Sequence, residues 1–423
     1  MAKTELGIDG RRFLVNGRPV YSEITGAKPN LHGLLMNARF IQGIFDDRAA
    51  PERFARFGYG TWDAEANTDR LIQALPEWYG FGLRAFTVGL QGGGPCFTVD
   101  NDTIDNNPFG KDGKSLDKDY SSRLDRLIRA CDEIGMVVIV SFFYGAQARR
   151  IQDGAGIRNA VVTAARFLKD RSYTNIIVEV ANEQNIGGFN EHPIIQEDEG
   201  MAWLMDLARQ ESGGIPVGCS GGGGHRSRQI VEASDVVLVH GNGQTRQKYY
   251  SMIQEVRGWA PNKPIVCNED SQSIGQLTVA ELTATSWGYY NNMTKQEPPA
   301  KWDVLPGEDA FFALRMAEMI GIKKPRPVFE DQYYLQGFEL EMTDNAMRWP
   351  RVASLNPESI NYVEFFRNGG LYYTSFDEPF SVHFKSNWRQ GGVRVSAGEE
   401  WQAKVHLRNG NIVTKSASLA GSC

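Results

Sequence analysis

The sequence predicts an α/β fold: a (β/α)8 TIM barrel with an N-terminal β-hairpin and a small C-terminal all-β, sandwich-like domain. Three observations lead to this prediction. Eight short apolar runs alternate with segments of helical periodicity across residues 38–320. Two apolar runs flank an Asn-Gly pair near the N-terminus. Helical periodicity is lost beyond residue 325.

The opening segment, residues 12–21, predicts the hairpin. Its two apolar runs surround Asn16 and Gly17, and an Asn-Gly pair in that position is a strong signal for a two-residue β-turn.

Eight apolar runs predict strands because each has strand length and carries β-branched or apolar residues. They are continuous rather than alternating, which is typical of parallel strands covered on both faces. The predicted strands lie near residues 38–43, 83–88, 136–142, 175–180, 215–219, 236–240, 264–267 and 284–287.

The segments between these runs have the spacing of amphipathic helices, as Leu71, Leu75 and Trp78 illustrate. Predicted helices cover residues 63–77, 120–133, 156–169, 197–210, 247–257, 278–283 and 308–320. The count fits a closed barrel better than a doubly wound sheet. No glycine-rich phosphate motif follows any strand, which disfavours the Rossmann and P-loop alternatives.

Beyond residue 325, short runs at residues 362–366, 371–376, 393–395 and 404–407 are broken by Gly and Asn pairs. This pattern indicates a β-rich accessory domain over residues 326–423, following a catalytic barrel domain over residues 1–325.

Composition excludes several classes of function. The net charge of -6 comes from mixed signs with no basic run, so we expect no nucleic-acid partner. The five cysteines are dispersed and the six histidines include no HxH pair, so we expect no metal site. No sequence motif indicates a cofactor, so we expect none. No signal peptide or eighteen-residue apolar stretch is present, so we expect a soluble protein without a membrane span. Cytoplasmic and secreted locations both stay open, as does the oligomeric state.

Two predicted strands end on an Asn-Glu pair, Asn182-Glu183 after strand four and Asn268-Glu269 after strand seven. In a barrel these strand ends converge on the mouth, where the two Glu residues would face each other. Paired carboxylates suit cleavage of a glycosidic bond, because one protonates the leaving oxygen while the other attacks the anomeric carbon.

These residues resemble the clan A glycoside hydrolases, and most closely the family 5 cellulases and mannanases. The resemblance implies a retaining β-glycosidase in which Glu183 is the acid/base, Glu269 is the nucleophile and Asn182 binds the sugar 2-hydroxyl. It implies as substrate an oligosaccharide, a polysaccharide such as a β-glucan or mannan, or a small β-glycoside. The motifs do not distinguish the sugar, the linkage, or endo from exo action.

The same resemblance assigns further residues to the site. Arg84 matches an arginine that keeps the nucleophile ionised, His240 ends strand six, and Trp287 would form an aromatic platform. The chain departs from the family at Asn242, where a tyrosine often bonds the nucleophile, and Tyr249 or Tyr250 would be the substitutes. Tyr144, at the end of strand three, is a candidate for a sugar subsite.

Each residue also has a purely structural explanation. Either Glu could be a charge at a helix N-terminus, Arg84 a salt-bridge partner, and His240 or Trp287 a core residue. Two other functions therefore stay open: a non-catalytic carbohydrate-binding barrel, and a metal-dependent hydrolase, which the histidine pattern disfavours.

Overall fold

A computed structural model describes residues 2–57, 60–339, 342, 347–385 and 391–419. The described chain begins with a small antiparallel sheet and continues as mixed α/β structure. From residue 333 onward its regular elements are β-strands, with the exception of a short 3-10 turn. No described helix is both long enough and apolar enough to cross a bilayer.

The strands are β1 Leu6–Asp9, β2 Arg12–Val15, β3 Arg18–Pro19, β4 Asn37–Arg39, β5 Ala85–Gly89, β6 Val137–Phe143, β7 Ile176–Ala181, β8 Val217–Gly218, β9 Val237–His240, β10 Ile265–Glu269, β11 Gly288–Tyr289, β12 Tyr333–Gln336, β13 Met347–Arg348, β14 Arg351–Ser354, β15 Ile360–Arg367, β16 Gly370–Ser375, β17 Phe380–Ser381, β18 Val393–Arg394, β19 Glu400–Leu407 and β20 Ile412–Ser418.

The helices are α1 Ala64–Gly80, α2 Lys118–Ile134, α3 Gly145–Ala148, α4 Gly154–Asp170, α5 Pro193–Gln196, α6 Asp198–Glu211, α7 Arg228–Ala233, α8 Arg246–Trp259, α9 Gln276–Thr283 and α10 Glu308–Met319. Their starts follow from capping: the Asp63 side chain accepts from Ala66 N–H at α1, and Asp117 accepts from two amides at α2. Gly135, with a φ of 87°, ends α2 in the left-handed region.

The predicted hairpin is present. β2 pairs antiparallel with β3, and Asn16 and Gly17 connect them with φ values of 52° and 75°. Two consecutive positive φ angles are what a type I′ turn requires, which explains why an Asn-Gly pair occupies it.

A six-stranded parallel sheet has the order β11-β4-β5-β6-β7-β8, and β9 pairs with β10 in a second parallel sheet. Backbone hydrogen bonds connect the two sheets at both edges. Val236 N–H donates to Val217 O at 3.2 Å, and Cys267 N–H donates to Ser286 O at 3.0 Å. β5, β6 and β7 are buried along their whole length, which explains their continuous apolar sequences.

The last parallel strand lies later than the sequence predicts. β11 is Gly288–Tyr289 rather than residues 284–287, because Ala284 has a φ of 48° and caps α9. A left-handed residue cannot continue into a strand. Trp287 therefore precedes β11 instead of ending it.

The β-rich C-terminal part has its own apolar cluster, which includes Val363, Phe365, Trp401 and Val405. Its four-stranded sheet has the order β16-β15-β19-β20. Ion pairs join it to the preceding part: Arg351 contacts Glu308 at 2.6 Å, and Arg315 pairs with Glu358. The boundary near residue 325 and the sandwich arrangement stay predictions.

Candidate active site

The C-terminal ends of four parallel strands bring ionisable side chains together. β4 ends at Arg39, β9 at His240 and β10 at Glu269, while Glu183 follows β7 after Asn182. One atom from each of Glu183, His240 and Glu269 lies within 4.8 Å of the other two. The two Glu residues that the sequence singles out therefore occupy one cluster, with His240 beside both.

Glu183 is held in an unusual backbone conformation. Its φ is 54°, a left-handed value that costs a non-glycine residue roughly 1 kcal/mol or more. Its N–H donates to Ser220 Oγ at 3.1 Å, which helps to hold that turn. The turn directs the carboxylate toward His240, whose Nδ1 lies 3.1 Å from Glu183 Oε1. The Glu183 side chain is 20% exposed, so it remains accessible to a ligand.

Glu269 has a hydrogen-bond donor on each carboxylate oxygen. Asn242 Nδ2 donates to Oε1 at 2.6 Å, and Arg39 Nε lies 2.6 Å from Oε2. The register of β10 against β9 shifts between Cys267 and Glu269. Such a bulge changes the direction of the side chain that follows it, and Glu269 faces the cluster, 9% exposed.

Asn242 itself donates to Glu269, at the sequence position where the resemblance leads us to expect a tyrosine. The substitutes Tyr249 and Tyr250 do not fill it. Tyr249 is fully buried on α8, and Tyr250, on the same helix, is 40% exposed. Neither lines the cavity above Glu269.

Arg39, rather than Arg84, is the arginine of this cluster. Its side chain is 1% exposed, and its Nη2 donates to Asn182 Oδ1 at 2.7 Å while its Nε contacts Glu269. Arg39 therefore links the end of β4 to the residues that end β7 and β10.

The expectation for Arg84 needs correction. Arg84 precedes β5 and so lies at the N-terminal edge of the parallel sheet, the edge opposite the cluster. Its guanidinium contacts Glu23 at 3.6 Å and stacks 3.9 Å from the Tyr79 ring centroid. Strand polarity gives the reason, because a residue entering a strand cannot reach the end where the strand exits. Arg84 has the salt-bridge role.

We predict that Arg39→Lys lowers kcat/KM by about 10²-fold or more, because lysine cannot contact Asn182 and Glu269 with one planar group. Arg84→Lys is the matched control, and its kcat/KM is expected to change by about twofold at most. Steady-state kinetics on an active glycoside, with thermal unfolding of each variant, provide the measurement. Equal losses of activity in both variants would contradict the placement.

The expectation for Trp287 also needs correction. Its side chain is fully buried, and its Nε1–H donates to Asp270 Oδ2 at 2.9 Å. Its ring packs 5.8 Å from that of Phe312 in the core. Trp287 therefore offers no face to a sugar. The aromatic side chains that line the cavity are Tyr144 and Tyr290.

A cavity of about 170 Å³ lies above the carboxylates. Three asparagines and a glutamine line it together with the charged residues and the two tyrosines. The lining consists of Arg39, Gly93, Cys96, Tyr144, Asn182, Glu183, Gly223, Asn242, Glu269, Tyr290, Asn292 and Gln296. Gly223 must lack a side chain, because a Cβ there would lie 2.4 Å from Asn242 O.

A buried carboxylate holds the loop that carries Gly93 and Cys96. Glu297 accepts hydrogen bonds from the amides of Cys96, Phe97 and Thr98 at 2.6, 3.1 and 3.1 Å. Burial raises the pKa of Glu297 to about 7, although these bonds favour its ionised form. Glu297 thereby fixes one wall of the cavity to the π-helical turn Asn292–Gln296.

The charges of the cluster shift one another's proton affinities. Burial raises the pKa of Glu269, and Arg39 and His240 reduce that rise without reversing it. Burial alone would raise the pKa of Glu183, but the hydrogen bond and charge of His240 outweigh burial and lower that pKa overall. For His240, burial favours the neutral ring, but Glu269 and Glu183 raise its pKa. The two carboxylates therefore favour the protonated form of His240, whose Nδ1 lies 3.1 Å from Glu183 Oε1.

Asp270, directly after Glu269, is a buried carboxyl outside the cavity lining. It accepts hydrogen bonds from Trp287 Nε1 and, at 3.0 Å, from Ser271 Oγ. Burial raises its pKa from 3.8 to about 7 against the effect of these bonds. The folded protein therefore binds a proton here up to about pH 7 that the unfolded chain releases near 3.8.

We predict that Asp270→Asn removes a pH-dependent loss of stability. The favourable contribution of Asp270 is complete below its unfolded pKa and disappears as pH rises through its folded value. We compare the free energy of unfolding of the variant with that of the unmodified protein at each pH. Between pH 4 and a pH above 7, this difference should move in favour of the variant by up to about 4 kcal/mol. Urea unfolding at several pH values measures this. A difference that does not change with pH would contradict the prediction.

The cluster also has the spacing of a metal site, since Glu183, His240 and Glu269 each offer one ligand atom within 4.8 Å of the others. Arg39 opposes that use, because its guanidinium already pairs with Glu269 at 2.6 Å and places a fixed positive charge beside it. Proton transfer fits this donor set better than metal binding does.

Sequence reasoning missed five residues whose side chains line the cavity: Arg39, Cys96, Tyr290, Asn292 and Gln296. Arg39 could have been found as a charged residue inside the first apolar run. Arg84 is a charged residue inside the second run, so this feature does not separate the two. The remaining residues come from loops or from the π-helical turn, for which the sequence offers no comparable pattern.

No protein-family model matches this sequence, and no curated protein matches it. Among solved structures it is similar to a β-glucuronidase of Parabacteroides merdae, at 12% identity and a TM-score of 0.42, covering 98% of this chain and 50% of that one. It is also similar to β-glucuronidase 2 of Bacteroides uniformis, at 11% identity and a TM-score of 0.45, covering 99% and 48%. The chain thus spans about half the length of these structures.

Proposed function

We propose that the protein is a glycoside hydrolase that cleaves β-glycosidic bonds with retention, using Glu183 as acid/base and Glu269 as nucleophile. The observation that carries this proposal is the position of the two carboxylates. Both face one cavity at the ends of parallel strands, and oxygens of the two lie within 4.8 Å of each other. Retaining enzymes separate the two groups by about 5–5.5 Å, whereas inverting enzymes need about 6.5–9.5 Å to admit a water.

In the first step a Glu269 oxygen forms a bond to the anomeric carbon, and the bond from that carbon to the leaving oxygen breaks. The proton needed by the leaving oxygen comes through Glu183 Oε1, which His240 Nδ1 contacts at 3.1 Å. Arg39 and Asn242 orient the Glu269 carboxylate for attack. The product is a glycosyl ester of Glu269.

In the second step Glu183, ionised once its proton has passed to the leaving oxygen, takes a proton from water as the water oxygen attacks the anomeric carbon. That proton replaces the one that His240 supplied through Nδ1 in the first step. The ester bond breaks and Glu269 returns as a carboxylate. Asn182, which Arg39 holds at 2.7 Å, is placed to bind the 2-hydroxyl of the sugar, as the clan A resemblance implies.

The same proposal includes a closed (β/α)8 barrel of the clan A, family 5 type. Support comes from the pairing of β11 with β4 and from the hydrogen bonds that join β8 to β9 and β10 to the segment before β11. Ring closure would place all eight strand ends around one mouth.

The cavity favours an uncharged sugar. Among the described residues that line it, Arg39 is the one cation, and it is buried and already paired with Glu269. A sugar carboxylate would lie near Glu183 and Glu269 and would find no unpaired cation in the lining. The two Glu carboxylates would therefore repel it. Neutral glucosides, mannosides and related chains fit the amide-rich lining.

The test is a screen of aryl β-glycosides, both neutral and glucuronide, together with β-glucans and mannans. A 2-fluoro-sugar inactivator and peptide mass spectrometry then identify the labelled residue. We expect turnover of neutral β-glycosides and a covalent label on Glu269. Glycan binding without turnover would show instead a non-catalytic carbohydrate-binding protein, and a label elsewhere would contradict the assigned nucleophile.

The spacing of Glu183, His240 and Glu269 favours one second candidate, a metal-dependent hydrolase. A chelator separates the two candidates. The retaining glycosidase should keep its full activity after exhaustive treatment with EDTA, whereas a metal enzyme would lose activity and regain it when a divalent cation is added.

A further inference from the structure

A third carboxylate lies beneath the site and takes no part in the mechanism above. Glu179 is within β7, four residues before Glu183, and its side chain is fully buried. A buried carboxylate is costly unless charges or hydrogen bonds compensate it, so its surroundings indicate what it does.

The surroundings of Glu179 come from the neighbouring strands. From β10, Asn268 Nδ2 donates to Glu179 Oε1 at 2.9 Å. From β4, Arg39 Nη1 lies 4.0 Å from Glu179 Oε2, and from β9, His240 Nε2 lies 4.0 Å from Oε1. The Cys219 thiol, beside β8, also lies within range of its charge.

Arg39 and His240 therefore each stand between Glu179 and a carboxylate of the site. Arg39 Nε pairs with Glu269 at 2.6 Å, while its Nη1 lies 4.0 Å from Glu179 Oε2, close enough for charge attraction but not for a hydrogen bond. His240 Nδ1 lies 3.1 Å from Glu183 Oε1 and 3.8 Å from Glu269 Oε2, and its Nε2 lies 4.0 Å from Glu179 Oε1. With both cations charged, three carboxylates face two cations, so removal of Glu179 would leave two of each.

We propose that Glu179 is a positioning residue, whose buried carboxylate holds Arg39 and His240 in the orientations that contact Glu269 and Glu183. Its kinetic readout rests on the proposed glycosidase function. Glu179 is not among the residues that line the cavity, and it acts through these two side chains.

The expected effect of Glu179→Gln is a shift of the whole pH profile. Without the charge near Nε2, the proton shared by His240 and Glu183 is lost at lower pH, so the alkaline limb of kcat/KM moves down. Arg39, no longer shared with Glu179, favours ionised Glu269 more strongly, so the acid limb also moves down. Each limb should shift by about one pH unit or more, given charges about 4 Å apart.

The experiment compares pH profiles of kcat/KM for the unmodified protein, Glu179→Gln, Glu179→Asp and Glu308→Gln. Glu179→Asp keeps the charge but draws it back by one methylene, so both limbs should move in the same direction by less. Glu308→Gln is the matched control, since Glu308 is buried and pairs with Arg351 at 2.6 Å away from the cavity. It should lower thermal stability without moving either limb.

The titration of His240 by ¹⁵N NMR gives a second readout that does not depend on turnover. Its signal is assigned by its absence in His240→Gln, and it should titrate at lower pH in Glu179→Gln. If no glycoside is hydrolysed, the proposed function fails, but this titration still decides the role of Glu179.

Unshifted limbs in Glu179→Gln, with only a lower kcat, would overturn the proposal and leave a packing role. An unshifted His240 titration would do the same. If Glu179→Gln does not fold, Glu179→Asp decides: a partial downward shift supports the proposal, and a profile that coincides with the unmodified one overturns it.

Discussion

Glu269→Gln is expected to lower kcat/KM by roughly 10⁴-fold or more, because an amide cannot form the glycosyl ester that splits the reaction into two steps. The amide oxygen can still accept from Arg39 Nε, while its NH2 group faces Asn242, whose side-chain amide must turn over to accept a hydrogen bond. Steady-state kinetics with an aryl β-glycoside, together with thermal unfolding, measure the effect. Glu308→Gln again provides the control for the loss of a buried charge.

A second variant identifies the role rather than the importance of Glu269. In Glu269→Ala, azide can enter the space of the missing carboxylate and attack the anomeric carbon from that face. Activity should then return in part, and the product should be a glycosyl azide of inverted configuration. An azide product of retained configuration would assign Glu269 the acid/base role instead.

Glu183→Gln is expected to lower kcat/KM by about 10²–10⁴-fold on substrates whose leaving alcohol needs a proton. The loss should be much smaller with a strongly acidic aryl leaving group, because that group departs as an anion without proton transfer. Kinetics across a series of aryl glycosides with different leaving-group pKa values test this. An equal loss across the series would contradict general acid catalysis by Glu183.

The matched variant Glu183→Ala with azide completes the assignment. Azide attacks the glycosyl ester of Glu269 in place of water, so the product should be a glycosyl azide of retained configuration. Opposite product configurations from the Glu183 and Glu269 variants would therefore separate the two roles in one assay.

The positions of the two proposed catalytic carboxylates are predictable because the ends of buried strands can be recognised in the sequence. A continuous apolar run marks a buried parallel strand, and the residue after the run must lie at its exit edge. Glu183 and Glu269 both meet that condition, as do His240 and Tyr144. Asn242 was noticed only as a departure from a family pattern, and the structure shows that its amide bonds the nucleophile candidate.

Arg84 and Trp287 show where that reasoning stops. Both belong to apolar runs, but Arg84 enters its strand rather than leaving it, and Trp287 precedes a strand that starts later than predicted. An error of a few residues at a strand boundary moves a side chain from the cavity into the core or to the opposite edge. The sequence alone could not choose between Arg39 and Arg84.

The sequence by itself determined the alternation of strands and helices, the hairpin and the two carboxylates, because these depend on local periodicity and turn chemistry. Only the tertiary structure decided which arginine pairs with Glu269, which aromatic rings line the cavity, and that Glu179 lies behind both cations. Those contacts join residues far apart in the chain, and their partners depend on strand register, which no local pattern encodes.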